Sequence, residues 1–218
     1  MRASQAPATF GVIVAIGIVF LAELLSGIPI ANVTEADTPK LVALGAIVPD
    51  TIARGEFWRF LTAMFLHIGI LHLLLNLWAL YQLGGVFELM FGSKRFVVTY
   101  FATGLVASTT SAMLTKGFSA GASGAIFGIL GALIVSIRRS PRWRHQTWTR
   151  GLTNQLIGWA VINIFIGFSF PGIDNAAHIG GFVCGLALGF IPHREPPPPA
   201  SRMTIDTEDH RIEIDRDR

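Results

Sequence analysis

Apolar residues in this chain gather into six blocks, separated by polar stretches and by breaks at proline and glycine. Phe10 to Ile30 has the length that crosses a hydrocarbon core as a helix, and no small-residue cleavage site directly follows a short apolar region, so it is predicted as a retained first span. Residues 31 to 69 are too polar and too interrupted, at Pro39, Pro49 and Gly55, to be one span. With the aromatic and basic cluster Phe57-Trp58-Arg59-Phe60, they are predicted as a long first loop lying in or on the outer interface. Further spans are predicted at about 70–90, 96–114, 122–137, 152–170 and 175–191. The pattern describes an all-α, polytopic membrane protein: a short cytoplasmic N-terminus over 1–9, one six-span domain over 10–191, and a disordered cytoplasmic tail over 192–218. That tail opens with a proline-rich run and has too few apolar residues to fold by itself.

Composition agrees with this reading, since 51% of residues are hydrophobic and only 14% charged. The net charge of +3 carries information about topology and gives no reason to expect a nucleic-acid partner. With six spans, thirteen Lys and Arg residues fall on the side of the termini, five of them between Arg138 and Arg150, against four on the other side (Lys40, Arg54, Arg59 and Lys116). The positive-inside rule then predicts that both termini are cytoplasmic. Compactness and the lack of a transit-like leader make a bacterial cytoplasmic membrane the expected location. The single cysteine, Cys184, lies in an apolar segment and reads as a packing residue.

Several polar residues inside the apolar blocks change the picture. Gly121-Ala122-Ser123-Gly124 puts a hydroxyl at the start of the fourth span, beside first-turn N–H groups that have no partner within a helix and can stabilise an oxyanion. The same small residues would also serve close helix packing, through Gly124, Gly128 and Gly131. It is not the nucleophile elbow of soluble hydrolases, because Ala125 stands where that motif needs glycine and no strand pattern precedes it. His178 lies in the sixth span, on one face with Gly181, Gly185 and Gly189. His72 and Asn76 share a face of the second. Measured at about 1.5 Å per residue from the inner boundary, Ser123, His178 and Asn76 come out at about 22, 21 and 24 Å, one level beneath the outer surface, with His72 a turn higher. Intramembrane polar groups are costly and usually functional. The chemistry assigns Ser123 as nucleophile, His178 as general base and then acid, and Asn76, alone or with His72, as oxyanion donor beside the Ser123 N–H. Phe127, four residues after Ser123, is placed to pack on the imidazole. Asp174, four before His178, is assigned to a turn, and Glu23 is expected to face protein or the outer interface.

In combination these residues resemble the rhomboid intramembrane serine proteases over residues about 56–190. The matching stretches are Trp58-Arg59, His72-Leu73-Leu74-Leu75-Asn76, Gly84-Gly85-Val86-Phe87-Glu88, Gly121-Ala122-Ser123-Gly124 and Ala177-His178-Ile179-Gly180-Gly181. The resemblance implies a six-helix bundle and a Ser123/His178 dyad that needs no acid. It implies an oxyanion site of His72, Asn76, Gly121 and the Ser123 backbone, with Gly124, Gly181, Trp58 and Arg59 in support. It implies that His67 is a structural loop histidine, that Glu88 anchors a helix end, and that span five with the overlying loops gates entry. Substrates would be transmembrane proteins cut in or beside their membrane segments, in contact with membrane lipid and with neither metal nor cofactor. Phe127 departs from the tyrosine of many relatives, which removes a hydroxyl and leaves the ring.

The rival readings fare worse. A membrane metalloprotease needs a helical His-Glu-x-x-His, and an aspartyl protease needs paired aspartates within spans; the chain has neither. A small-solute channel would carry its polar residues across the whole membrane. The alternative of another class is a catalytically inactive rhomboid-like protein that binds transmembrane clients. Such relatives lose the serine or histidine or place proline before the serine, where this chain has Ala122.

Overall fold

The computed structural model describes residues 3–170, 172–192, 203–205 and 212–214. After a 3₁₀ turn at Ala3–Gln5, the helices are α1 (Pro7–Leu25), α2 (Thr38–Leu44), α3 (Pro49–Ala53), α4 (Arg59–Thr62), α5 (Gly69–Ala79), α6 (Gly85–Phe91), α7 (Ser93–Leu114), α8 (Ser123–Arg139), α9 (Thr147–Ser169) and α10 (Asn175–Gly189). A π-helical segment, Leu80–Gly84, joins α5 to α6, so that Gly69–Phe91 runs as one helical rod with a widened turn in the middle. Among the described residues, four helices are long and apolar enough to cross a membrane: α1, the Gly69–Phe91 rod, α7 and α9. α8 and α10 are shorter, with 17 and 15 residues. Much of the tail predicted from residue 192 onward lies outside the described residues; within it, Met203–Ile205 pairs antiparallel with Ile212–Ile214.

The chain is an integral membrane protein built as a helical bundle, and its outward faces suit lipid. Val14, Ile18 and Leu21 of α1, Leu71, Leu74 and Leu75 of α5, and Val161, Ile162, Phe165 and Phe168 of α9 are all exposed. α8 is the opposite case. It is apolar almost all round and buried from Gly124 to Ile134, as expected of a helix at the centre of a bundle.

In lipid there is no hydrophobic drive between helices, so close packing and polar contacts must hold the bundle together. The sequence supplies the first through glycine. A Cβ at Gly181 or Gly185 of α10 would overlap the carbonyl oxygen of Gly124 or Gly128 in α8, and one at Gly131 would meet the Phe182 carbonyl coming the other way. On the second face of α8, Gly124 and Gly128 leave room for Ala107 and Thr103 of α7. α8 is thus gripped between α7 and α10, its backbone against that of α10 and against the small side chains of α7.

Polar contacts fasten the ends. The buried Glu88 of α6 accepts hydrogen bonds from the Ala8 N–H (2.9 Å), the Thr9 N–H and hydroxyl (2.7 Å each) and the Ser93 hydroxyl (2.5 Å). One carboxylate therefore ties the start of α1 and the start of α7 to α6. In the first loop the buried Arg59 donates to Glu56 (2.8 and 2.5 Å), to the Ala46 carbonyl (3.0 Å) and to the Val42 carbonyl, while its guanidinium lies 4.4 Å from the Trp58 ring. Glu23, fully buried in α1, accepts the His67 N–H at 2.8 Å and so faces protein.

Several boundaries differ from the predicted ones. α1 begins and ends earlier than 10–30 because Pro7 suits a helix start and Ser26-Gly27 closes the last turn, with Gly27 at a φ of 78°. α9 begins five residues before 152, since the stretch from Thr147 to Gly151 is helical and extends α9 at its start. The first loop contains the short helices α2, α3 and α4, and it is pinned to the loop before α8 by paired hydrogen bonds between Ile47 and Ser119 (3.0 and 2.9 Å).

Replacing Glu88 with Ala removes the acceptor of four donors, the two of Thr9 buried and those of Ala8 and Ser93 partly so, and should lower stability by about 3 kcal/mol or more. Unfolding in detergent checks this; a native midpoint in Glu88→Ala would contradict the anchoring role.

Candidate active site

The loop between α7 and α8 ends at Gly121, whose φ of 135° disfavours other residues, and its N–H donates to the Ala63 carbonyl at 2.8 Å. This tether delivers Ser123 as the first residue of α8. α10 starts at Asn175, capped by the Asp174 side chain, and carries His178 on the face turned to α8. His178 Nε2 and Ser123 Oγ lie 2.8 Å apart. The Phe127 ring stacks on the imidazole at a centroid distance of 4.2 Å and an interplanar angle of 11°. Among the described residues the buried His178 Nδ1 has no hydrogen-bond partner.

His72 and Asn76 line the same cavity as Ser123 and His178, a space of about 500 Å³ whose walls are otherwise mostly apolar, including Ile126, Phe127 and Leu130. The His72 Nδ1 accepts the Ile68 N–H at 3.2 Å, which leaves the proton of the neutral ring on Nε2. That edge of the ring meets Gly121, where an added Cβ would lie 2.7 Å from Cε1 and 3.0 Å from Nε2. Asn76 gives one amide hydrogen to the His72 carbonyl at 2.9 Å and has a second available. Across the cavity, Trp78 of α5 meets Trp159 of α9 with ring centroids 5.3 Å apart.

The other predicted residues lie away from the pair. Gly124 and Gly181 belong to the seam between α8 and α10, Trp58 and Arg59 to the first loop, and Glu88 to the far end of the Gly69–Phe91 rod. His67 is fully buried in the loop before α5, its ring 5.1 Å from that of His72 and its Nδ1 3.1 Å from the Phe65 carbonyl. Burial, and after it the neighbouring His72, lowers its pKa to about 3.

Asp174 has a larger part than the turn assigned to it. Its Oδ1 accepts from the Ala177 N–H (3.0 Å) and the Thr115 hydroxyl (3.0 Å), and its Oδ2 from the Ser119 hydroxyl (2.7 Å) and the Ser111 hydroxyl. Burial pushes its pKa up, but the bonds from Ser111, Ala177, Ser119 and Thr115 outweigh burial and hold it below the usual value. Ser111 and Thr115 are four apart and share a face at the end of α7. That spacing, together with an Asp directly before a helix start, is the signal that could have exposed the cluster.

Comparison with known proteins adds a family. A model of the Rhomboid domain matches residues 54–195. The Rhomboid protease GluP of Bacillus subtilis (strain 168) is 43% identical over 155 residues, which cover 71% of this chain and 30% of that protein. RHOMBOID-like protein 5 of Arabidopsis thaliana is 37% identical over 156 residues, covering 70% and 50%, and Rhomboid-like protease 2 of Toxoplasma gondii is 32% identical over 174 residues, covering 78% and 60%. The chain thus spans 30 to 60% of the length of these relatives.

The His67 environment generates a prediction. A ring kept neutral when folded, and protonated below about pH 6.5 when unfolded, contributes stability that is whole above that pH and is lost as pH falls toward 3. Unfolding midpoints between about pH 7 and 4 should therefore fall less steeply in His67→Asn than in the native chain. Equal slopes would contradict this.

Proposed function

We propose that this chain, which belongs to the rhomboid family, is a serine endopeptidase that cuts transmembrane or juxtamembrane peptide bonds of other membrane proteins. The observation that carries the reading is the 2.8 Å contact between Ser123 Oγ and His178 Nε2 on a cavity that His72 and Asn76 also line. Ser123 donates to Nε2, so the proton of neutral His178 resides on Nδ1, and the stacked Phe127 holds the ring where an acid orients it in other serine enzymes.

In the proposed reaction Ser123 Oγ attacks the scissile carbonyl carbon as His178 Nε2 takes its proton. The negative charge moves to the carbonyl oxygen, where the His72 Nε2–H, the Asn76 amide and the Ser123 N–H donate to it. The C–N bond then breaks, the amine leaves with the proton from His178, and an ester to Ser123 remains. Water attacks that ester, His178 accepts the water proton, and return of the proton to Ser123 releases the acid. A helical client hides its carbonyls in hydrogen bonds, so it must unwind to react, and small or helix-breaking residues at the cut favour this. We assign client entry to the side where Trp78 and Trp159 meet. The Lys and Arg distribution supports cytoplasmic termini, with the cavity opening outward; the location that goes with this reading is a bacterial cytoplasmic membrane.

Purified protein incubated in detergent with a transmembrane reporter should cleave it, and Ser123→Ala or His178→Ala should each reduce kcat by at least about 1,000-fold. Equal cleavage by the native chain and Ser123→Ala would remove the assignment. Absence of cleavage across a varied client panel would favour client binding without catalysis.

A further inference from the structure

We infer that Asp174 is a positioning residue for the Ser123–His178 pair: its carboxylate ties the serine-bearing loop to the start of the histidine-bearing helix and supplies a fixed negative charge one turn from the imidazole. The inference rests on the protease reading above and adds to it a residue that touches neither substrate nor the reacting atoms.

The geometry is specific. All four of the carboxylate's hydrogen bonds come from donors, on three parts of the chain: Ser111 and Thr115 close α7, Ser119 lies four residues before Ser123, and Ala177 is the neighbour of His178. Ser119 is itself fixed through Ile47 to the first loop. The His178 N–H donates to the Asp174 carbonyl at 3.1 Å, so main chain and side chain of one residue set the first turn of α10. Asp174 and Ser119 reach the wall of the cavity that holds Ser123 and His178. Among the described residues His178 Nδ1 has no hydrogen-bond partner, so the positive charge that the ring gains when Nε2 takes the serine proton is balanced through space. In a low-dielectric setting an anion one turn away lowers the energy of that charged state, and the ground state, with a neutral ring, gains far less.

The substitution Asp174→Asn separates charge from structure. Asparagine caps helices as well as aspartate does, and the Ser111 and Ser119 hydroxyls can turn to accept from its amide, so the cap survives and the charge does not. With a transmembrane reporter, Asp174→Asn should lower kcat at least about tenfold and leave KM within about twofold. The rate at which a fluorophosphonate labels Ser123 should fall in parallel, with the unfolding temperature held within a few degrees. Native kcat and labelling rate in Asp174→Asn, or a loss that vanishes when rates are normalised to folded protein, would overturn the inference. Should Asp174→Asn fail to fold, Ser119→Ala decides. Removing that single donor should slow labelling a few-fold, and a native rate would overturn the proposal. A native chain that takes no label would overturn this inference and the protease reading together, whereas labelling that is equal in native and Asp174→Asn overturns this one alone.

Discussion

The structure depends on how closely the backbones of α8 and α10 approach each other. Ser123 has one of the shortest polar side chains and an imidazole reaches little further, so a 2.8 Å contact between them requires their helices to touch main chain to main chain. Gly181 and Gly185 make that possible by presenting bare backbone to the carbonyls of Gly124 and Gly128. In a membrane the same close packing is a source of cohesion, because lipid offers helices as good an apolar surface as they offer each other. One seam therefore serves stability and, on the proposed reading, chemistry.

The rest of the molecule keeps that seam in register through buried polar groups with several partners each. Glu88 holds α6 to the starts of α1 and α7, Arg59 holds the first loop to itself, and Asp174 holds the end of α7 and the start of α10 to the loop that delivers the serine. Each satisfies its charge with geometry that an apolar residue could not reproduce, which is the condition for a charge to be tolerated away from water. α9 stands apart. Much of its surface faces outward, and it meets α5 across the cavity through Trp78 and Trp159, a contact of rings without a hydrogen bond. It is also held to α10 by the Asn175 amide, which donates to the Ile164 carbonyl at 3.2 Å. On the protease reading proposed above, a tight seam beside a helix with so much outward surface is an arrangement in which a client strand reaches Ser123 without disturbing the pair.

Much of this was legible in the sequence, for a physical reason. Helix rise is constant, so residues counted from a membrane boundary report depth, and that placed Ser123, His178 and Asn76 on one level before any contact was known. Spacings of three and four likewise put His178 on the face that carries Gly181 and Gly185. What spacing cannot report is which side chain turns toward which across elements far apart in sequence. Asp174 read as a turn residue because its partners Ser111, Thr115 and Ser119 lie 55 to 63 residues away. Glu23 gave no sign of its partner, the His67 N–H, since backbone donors leave no mark on sequence. The Trp78–Trp159 contact was hidden too, because α9 is apolar on most sides and periodicity does not single out the face it turns inward.

The most direct test of the seam is the fluorophosphonate labelling rate of Ser123 in Gly185→Ala, with Gly158→Ala as control. Gly185 lies two turns from His178, about 10 Å along α10, and an added methyl there collides with the Gly128 carbonyl, whereas one at Gly158 of α9 meets nothing within 4 Å. If backbone contact sets the dyad, folded Gly185→Ala labels at least about tenfold more slowly than native protein and Gly158→Ala labels at the native rate. Native labelling in folded Gly185→Ala would contradict the account.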